Sequence, residues 1–180
     1  MESAKFKAMA LPVERLIEEK LTEDSWVIGD MDDKPSNWTR AINNLLKGVA
    51  KSLYKNCLIA CKQTDIRDCS EWLFDFVCYT ENQFGLDTVL FVAESQWMNQ
   101  WHKDRNFDDI KFDFEKLILA RSEIRIMVFE ANDQNEIQNY IARLNNIVTN
   151  CRLTQINDRY MYVAWNLATL NFHIDLYIQK

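Results

Sequence analysis

The sequence predicts an α/β fold built on a mixed sheet. Three observations carry that reading. Short apolar runs rich in aromatic and β-branched residues recur along the chain, amphipathic stretches at helical spacing lie between them, and one succession of run, stretch and run is long enough to cross over a sheet.

Taken in order, an amphipathic helix is expected over about residues 11–21, and the polar segment "GDMDDKPSN" (29–37), holding one of two prolines, follows it. "PSNWTRAINNLLKGVAKSLYKN" reads as a second helix opened by Ser36 or Asn37, with Trp38, Ile42, Leu45, Leu46, Val49 and Leu53 along one side. "CLIACK" (57–62), "EWLFDFVCY" (71–79) and "TVLFVAES" (88–95) are strand-like. "DDIKFDFEKLILARSEI" (108–124) places Ile110, Phe114, Leu117, Ile118 and Ile124 on one helical face, and "RIMVFEA" (125–131) follows as a strand. A further helix spans 133–150 through Ile137, Ile141, Leu144 and Val148. "YMYVAWNL" and "NFHIDLYIQ", around "ATLN", suggest a closing hairpin. The strand–helix–strand unit from 88 to 131 predicts two parallel strands with a right-handed crossover, and the shorter links before it predict antiparallel pairs.

Composition narrows the function classes. With 180 residues, 48% of them hydrophobic and 27% charged, the chain is expected to form one soluble domain. No apolar run approaches the roughly 20 residues that cross a bilayer, and the charged N-terminal stretch lacks a secretory apolar segment, so no membrane partner and a cytoplasmic location are expected. Five cysteines without CxxC spacing and two histidines argue against a zinc site or a disulfide framework. Three glycines form no phosphate loop. The net charge of −6 is unevenly spread: residues 1–33 carry −5, residues 34–62 carry +6 with no acid, and the rest −7. The basic block is a candidate phosphate-contacting surface; its alternative is a solvated helix face.

Two carboxylates interrupt the most apolar strands, Asp75 in "EWLFDFVCYT" and Glu94 in "VLFVAESQW". An unpaired ionised carboxylate among apolar groups is costly, so each requires a cation, a cluster of donors or a raised pKa. Adjacent strands lie about 4.8 Å apart, so in suitable register both can hold one divalent ion, and an oxygen-only set suits Mg²⁺ or Mn²⁺. The alternative is a pair of partly exposed or salt-bridged structural carboxylates. Alternation puts Gln96 on the face of Glu94 and Glu71 on that of Asp75.

The order helix–strand–strand–strand–helix–strand, with Asp75 on the second strand and Glu94-x-Gln96 ending the third, resembles the PD-(D/E)XK nuclease superfamily over about residues 36–131. The resemblance implies a restriction-endonuclease-like mixed central sheet flanked by helices. Residues 1–35 would be a helical extension and 132–180 an added helix and hairpin. By the same resemblance Asp75, Glu94 and the main-chain carbonyl of Ser95 would hold Mg²⁺ or Mn²⁺, and Gln96 stands where Lys is usual. Phe74 stands where Pro is usual. Some members carry the Lys on the following helix, which here offers Lys116. At about 100° per residue Lys116 lies roughly 140° from the centre of that helix's apolar face, whereas Arg121 falls near its middle, so both are candidate cations.

The implied activity is metal-dependent phosphodiester hydrolysis of nucleic acid, with DNA as the expected substrate and Arg40, Lys47, Lys51 and Lys55 gripping its backbone. The alternative is a catalytically silent member of the same fold that meets a protein partner or forms a homodimer. Trp26, Trp38, Trp72, Trp97, Trp101 and Trp165 are read as core or interface anchors before base-stacking platforms. Neither His102 nor His173 has a sequence partner for nucleophilic catalysis.

Overall fold

The computed structural model describes residues 8–23, 35–61, 73–97 and 107–180. Glu71, Trp72, Trp26, Trp101, His102, Cys69, Lys34 and Lys62 lie outside them. The elements are α1 (Pro12–Glu23), α2 (Pro35–Leu53), β1 (Leu58–Cys61), β2 (Phe76–Asn82), β3 (Gly85–Gln96), α3 (Phe107–Leu119), β4 (Ser122–Ala131), α4 (Gln134–Asn150), β5 (Arg159–Asn166) and β6 (Asn171–Ile178). None of these helices is long and apolar enough to cross a membrane.

The six strands form one open sheet in sequence order, β1 to β6. Strands joined by short links pair antiparallel: β1 with β2, β2 with β3, and β5 with β6. β3–β4 and β4–β5 are parallel, because each is joined through a helix that carries the chain back to the starting end. Both crossovers advance in the same direction across the sheet, so right-handedness puts α3 and α4 on the same face. Their side chains pack there with Val77, Val92, Met127, Phe129, Tyr160 and Tyr162. α1 and α2 cover the other face, against Phe76, Phe91, Ile124, Ile126, Met161 and Val163. Strands buried on both sides read as continuous apolar runs, as β4 and β5 do.

Local chemistry fixes several boundaries. Asp133 caps α4, its carboxylate accepting from the amides of Asn135 and Glu136 at 2.8 and 2.9 Å, while Glu136 reaches back to the Asn132 amide at 2.7 Å. Glu14 of α1 is fully buried and takes the Arg159 guanidinium of β5 on both oxygens, at 2.9 and 2.6 Å, tying α1 to the sheet.

Three boundary expectations are corrected. α2 begins at Pro35, so Ser36 and Asn37 fall inside its first turn, where the fixed φ of proline suits the opening position. β2 begins at Phe76, and Asp75 sits in the bend just before it rather than within the strand. α3 stops at Leu119, so Arg121 and Ile124 are not helical, and Ile124 belongs to β4. The buried guanidinium of Arg125 takes the Ala120 carbonyl through Nε at 3.2 Å and Nη2 at 2.8 Å, which satisfies the chain where the helix ends.

Phe114 of α3 is fully buried against Tyr160 and Tyr162, with ring centroids 5.5 and 5.9 Å away. Replacing Phe114 with Ala is expected to lower the unfolding free energy by about 3–5 kcal/mol, measured as a reduced urea midpoint at unchanged slope.

Candidate functional site

The antiparallel register pairs Phe76 with Ala93, which brings the residue preceding β2 alongside the C-terminal end of β3. Asp75 is that residue. Its Oδ2 accepts from the Ser95 amide at 3.0 Å and from the Ser95 hydroxyl at 2.8 Å. Neither of these donors addresses Oδ1.

Glu94 precedes Ser95 and, by alternation, points to the opposite face, toward α3. Only 2% of its surface is exposed. The Lys116 ammonium of α3 lies 2.8 Å from Glu94 Oε1 and 2.9 Å from Asp113 Oδ1, one turn back on the same helix. The ammonium approaches Oε1 off the direction a hydrogen bond prefers, so that buried oxygen has a charge contact without a directed donor among the described residues. Burial pushes the Glu94 pKa up to about 8; Lys116 works against that rise, and the neighbouring charge of Asp75 adds to it. Burial acts to lower the Lys116 pKa, but its contacts with Glu94 and Asp113 outweigh this and raise it.

Of the two candidate cations, Lys116 is therefore the one brought to Glu94. Its Cα points well away from the apolar stripe, yet a flexible four-carbon stem lets the ammonium reach where the helical projection does not. Arg121 is exposed in the link beyond the helix, so the projection that favoured it does not apply. Gln96 ends β3, half-buried, opposite Phe129 of β4.

α2 contributes polar groups that the apolar pattern did not single out. Thr39 and Asn43, one turn apart, are buried at the flank of its apolar stripe. Thr39 Oγ1 lies 3.0 Å from Ser95 Oγ and accepts from Trp97 Nε1 at 3.1 Å. Asn43 Nδ2 donates to the Asp75 carbonyl at 3.2 Å. Two short polar side chains four residues apart beside the core stripe of a helix were the signal available in the sequence. Asp113 was missed as well; its signal was the Asp-x-x-Lys spacing on α3.

The basic residues of α2 and its C-terminal extension turn outward: Arg40, Lys51 and Lys55 are exposed and Lys47 half-buried. Arg40 also donates to Asn37 at 3.3 Å. Trp38, Trp97 and Trp165 cluster against the sheet, with centroids 5.3 Å (Trp38–Trp97) and 5.7 Å (Trp38–Trp165) apart, and so act as packing anchors. His173 lies 3.3 Å from Gln134 Nε2 on edge strand β6. Among the described residues no group of three or more His, Cys, Asp or Glu side chains is arranged to hold a metal.

The raised Glu94 pKa has a sign that can be measured. A carboxyl holding its proton in the folded state to about 8, against the ordinary value near 4.5, makes the fold less stable as pH rises through that window. The loss attributable to one such group reaches at most about 1.4 kcal/mol per pH unit. Urea unfolding at pH 5, 6, 7 and 8 is expected to show this decline in the native chain and a flatter profile in Glu94→Gln. Comparison of the chain with protein-family models, with curated proteins and with solved structures finds no match.

Proposed function

We propose that the protein is a metal-dependent phosphodiesterase acting on nucleic acid, DNA in the first place, and a divergent member of the restriction-endonuclease-like fold. The observation that carries the reading is the Lys116 ammonium, delivered by the helix after β3 to within 2.8 Å of buried Glu94, with Asp75 anchored on the adjoining Ser95. A cation beside Glu94 supports the reading although position 96 is Gln. The succession α2, β1, β2, β3, α3, β4, with β3 and β4 parallel, agrees with the same reading.

The residues suit Mg²⁺ or Mn²⁺. The set is all oxygen, Glu94 Oε1 lacks a directed donor, and Asp75 is held through Oδ2 with Oδ1 not engaged by Ser95. Asp75, Glu94 and the Ser95 carbonyl would hold the ion. When bound, such an ion lowers the pKa of water and neutralises charge developing on a phosphate.

The chain's own residues supply the rest. Lys116 is positioned to stabilise negative charge on a phosphate oxygen, and Asp113 steadies it. Gln96 can offer an amide donor but no charge. Arg40, Lys47, Lys51 and Lys55 grip the backbone from α2. A second reading, a silent member of the fold that meets a protein or a second copy of itself, is favoured by the neutral Gln96 and by the net charge of −6.

With Mg²⁺ or Mn²⁺, the native chain is expected to cleave supercoiled plasmid or single-stranded DNA, with Glu94→Ala, Asp75→Ala and Lys116→Ala each slower by about 100-fold or more. Equal cleavage by native chain and Glu94→Ala would assign the activity to a contaminant and leave the silent reading standing. DNA affinity measured against salt tests the basic surface separately. Replacing Lys51 and Lys55 together by Ala should flatten the log–log slope by nearly two, at about 0.9 per phosphate contact.

A further inference from the structure

Four polar groups link α2 to Asp75 in a line whose direction is fixed at both ends. The Trp97 indole N–H can only donate, and it donates to Thr39 Oγ1. At the other end the Asp75 carboxylate can only accept when ionised, and it takes the Ser95 hydroxyl at 2.8 Å. The single proton of Ser95 is thereby committed, so Ser95 Oγ must accept from Thr39 across their 3.0 Å contact. Every donor points the same way, from Trp97 through Thr39 and Ser95 to Asp75, an arrangement in which each bond polarises the next. Thr39 and Trp97 are both buried, which shields the line from competing water. One turn along α2, Asn43 holds the main-chain carbonyl of the same aspartate.

We infer that Thr39 is a positioning residue for a metal-binding Asp75: its hydroxyl orients Ser95 so that Oδ2 is clamped and Oδ1 stays turned out as the ligand atom. This rests on the metal reading above and adds a residue to it. Thr39 is followed directly by Arg40 on the outward side of α2, so the helix offered to the phosphate backbone is also the helix that sets the carboxylate. Val matches the shape of Thr without the hydroxyl, and Ser keeps the hydroxyl without the methyl.

The test is Mn²⁺ binding to the full chain, read from the free-ion electron paramagnetic resonance signal, for the native chain, Thr39→Val and Thr39→Ser. Thr39→Val is expected to bind Mn²⁺ about 10-fold more weakly, and Thr39→Ser within about 3-fold of native. The Mg²⁺ concentration giving half-maximal DNA cleavage should shift by the same factor, with the rate at saturating Mg²⁺ largely kept. Equal Mn²⁺ affinity in native chain and Thr39→Val, or Thr39→Ser as weak as Thr39→Val, overturns the role. A native chain that binds no Mn²⁺ overturns the metal reading itself, and this role with it. Should Thr39→Val not fold, Trp97→Phe removes the head of the line while leaving Thr39 in place; Mn²⁺ affinity about 2- to 3-fold weaker supports the role, and native affinity overturns it.

Discussion

A carboxylate at the buried end of β3 is the constraint around which the molecule is arranged. Glu94 is 2% exposed, between apolar strands on either side, and an ionised group there is tolerated only if its surroundings replace the water it has lost. The sheet alone cannot do this. Its β2 side offers a second acid, and its β4 side offers Met127, paired in register with Glu94. Compensation has to come from a layer above, and the crossover connection supplies it: α3 exists to return the chain from β3 to parallel β4, and it lays Lys116 over the strand end. Topology and electrostatics are thus joined at one residue.

Adjacent residues of β3 divide the work between the two helical layers. Glu94 faces α3 and meets a cation; Ser95 faces α2 and meets a hydroxyl. A pleated strand does this automatically, because neighbouring side chains point to opposite faces. Asp75, lying in the bend before β2 and not in the strand, is free of that alternation. It can accept from both the amide and the hydroxyl of Ser95 while its charge is still felt by Glu94. The early end of β2 therefore has a consequence for chemistry: a regular strand at position 75 would hold the aspartate to one face.

Much of the fold was legible because period and punctuation agreed. The apolar runs of β3, β4 and β5 and the helical stripes of α2 and α4 lie where residue spacing places them, and the parallel β3–β4 pair follows from connection length. What the spacing missed came from tertiary contacts that spacing does not encode. The stripe of α3 runs on through Ile124 in the sequence, but Arg125 captures the Ala120 carbonyl and the chain turns into β4. At the site, Asp75 and Glu94 were visible as carboxylates misplaced among apolar residues. Thr39 and Asn43 were not, since short polar residues are common on helices and only the fold reveals that these two are buried. Lys116 was underrated because a helical wheel locates Cβ, whereas an ammonium sits several bonds further on.

The neutral residue at position 96 looks different once the charges are counted at the strand end. Glu94 and Asp113 share the Lys116 ammonium, with the charge of Asp75 close enough for Glu94 to feel it, and the burial-raised pKa of Glu94 limits that negative excess. On the metal reading, a divalent ion would displace the proton that Glu94 otherwise keeps near neutrality, and Lys116 would remain held by Asp113. A lysine at 96, on the same face as Glu94, would add a second cation and lessen the attraction for an ion. On that reading glutamine there would preserve the attraction, and the cation for a phosphate would come from α3, whose flexible side chain could exchange a carboxylate for a phosphate oxygen without moving the sheet.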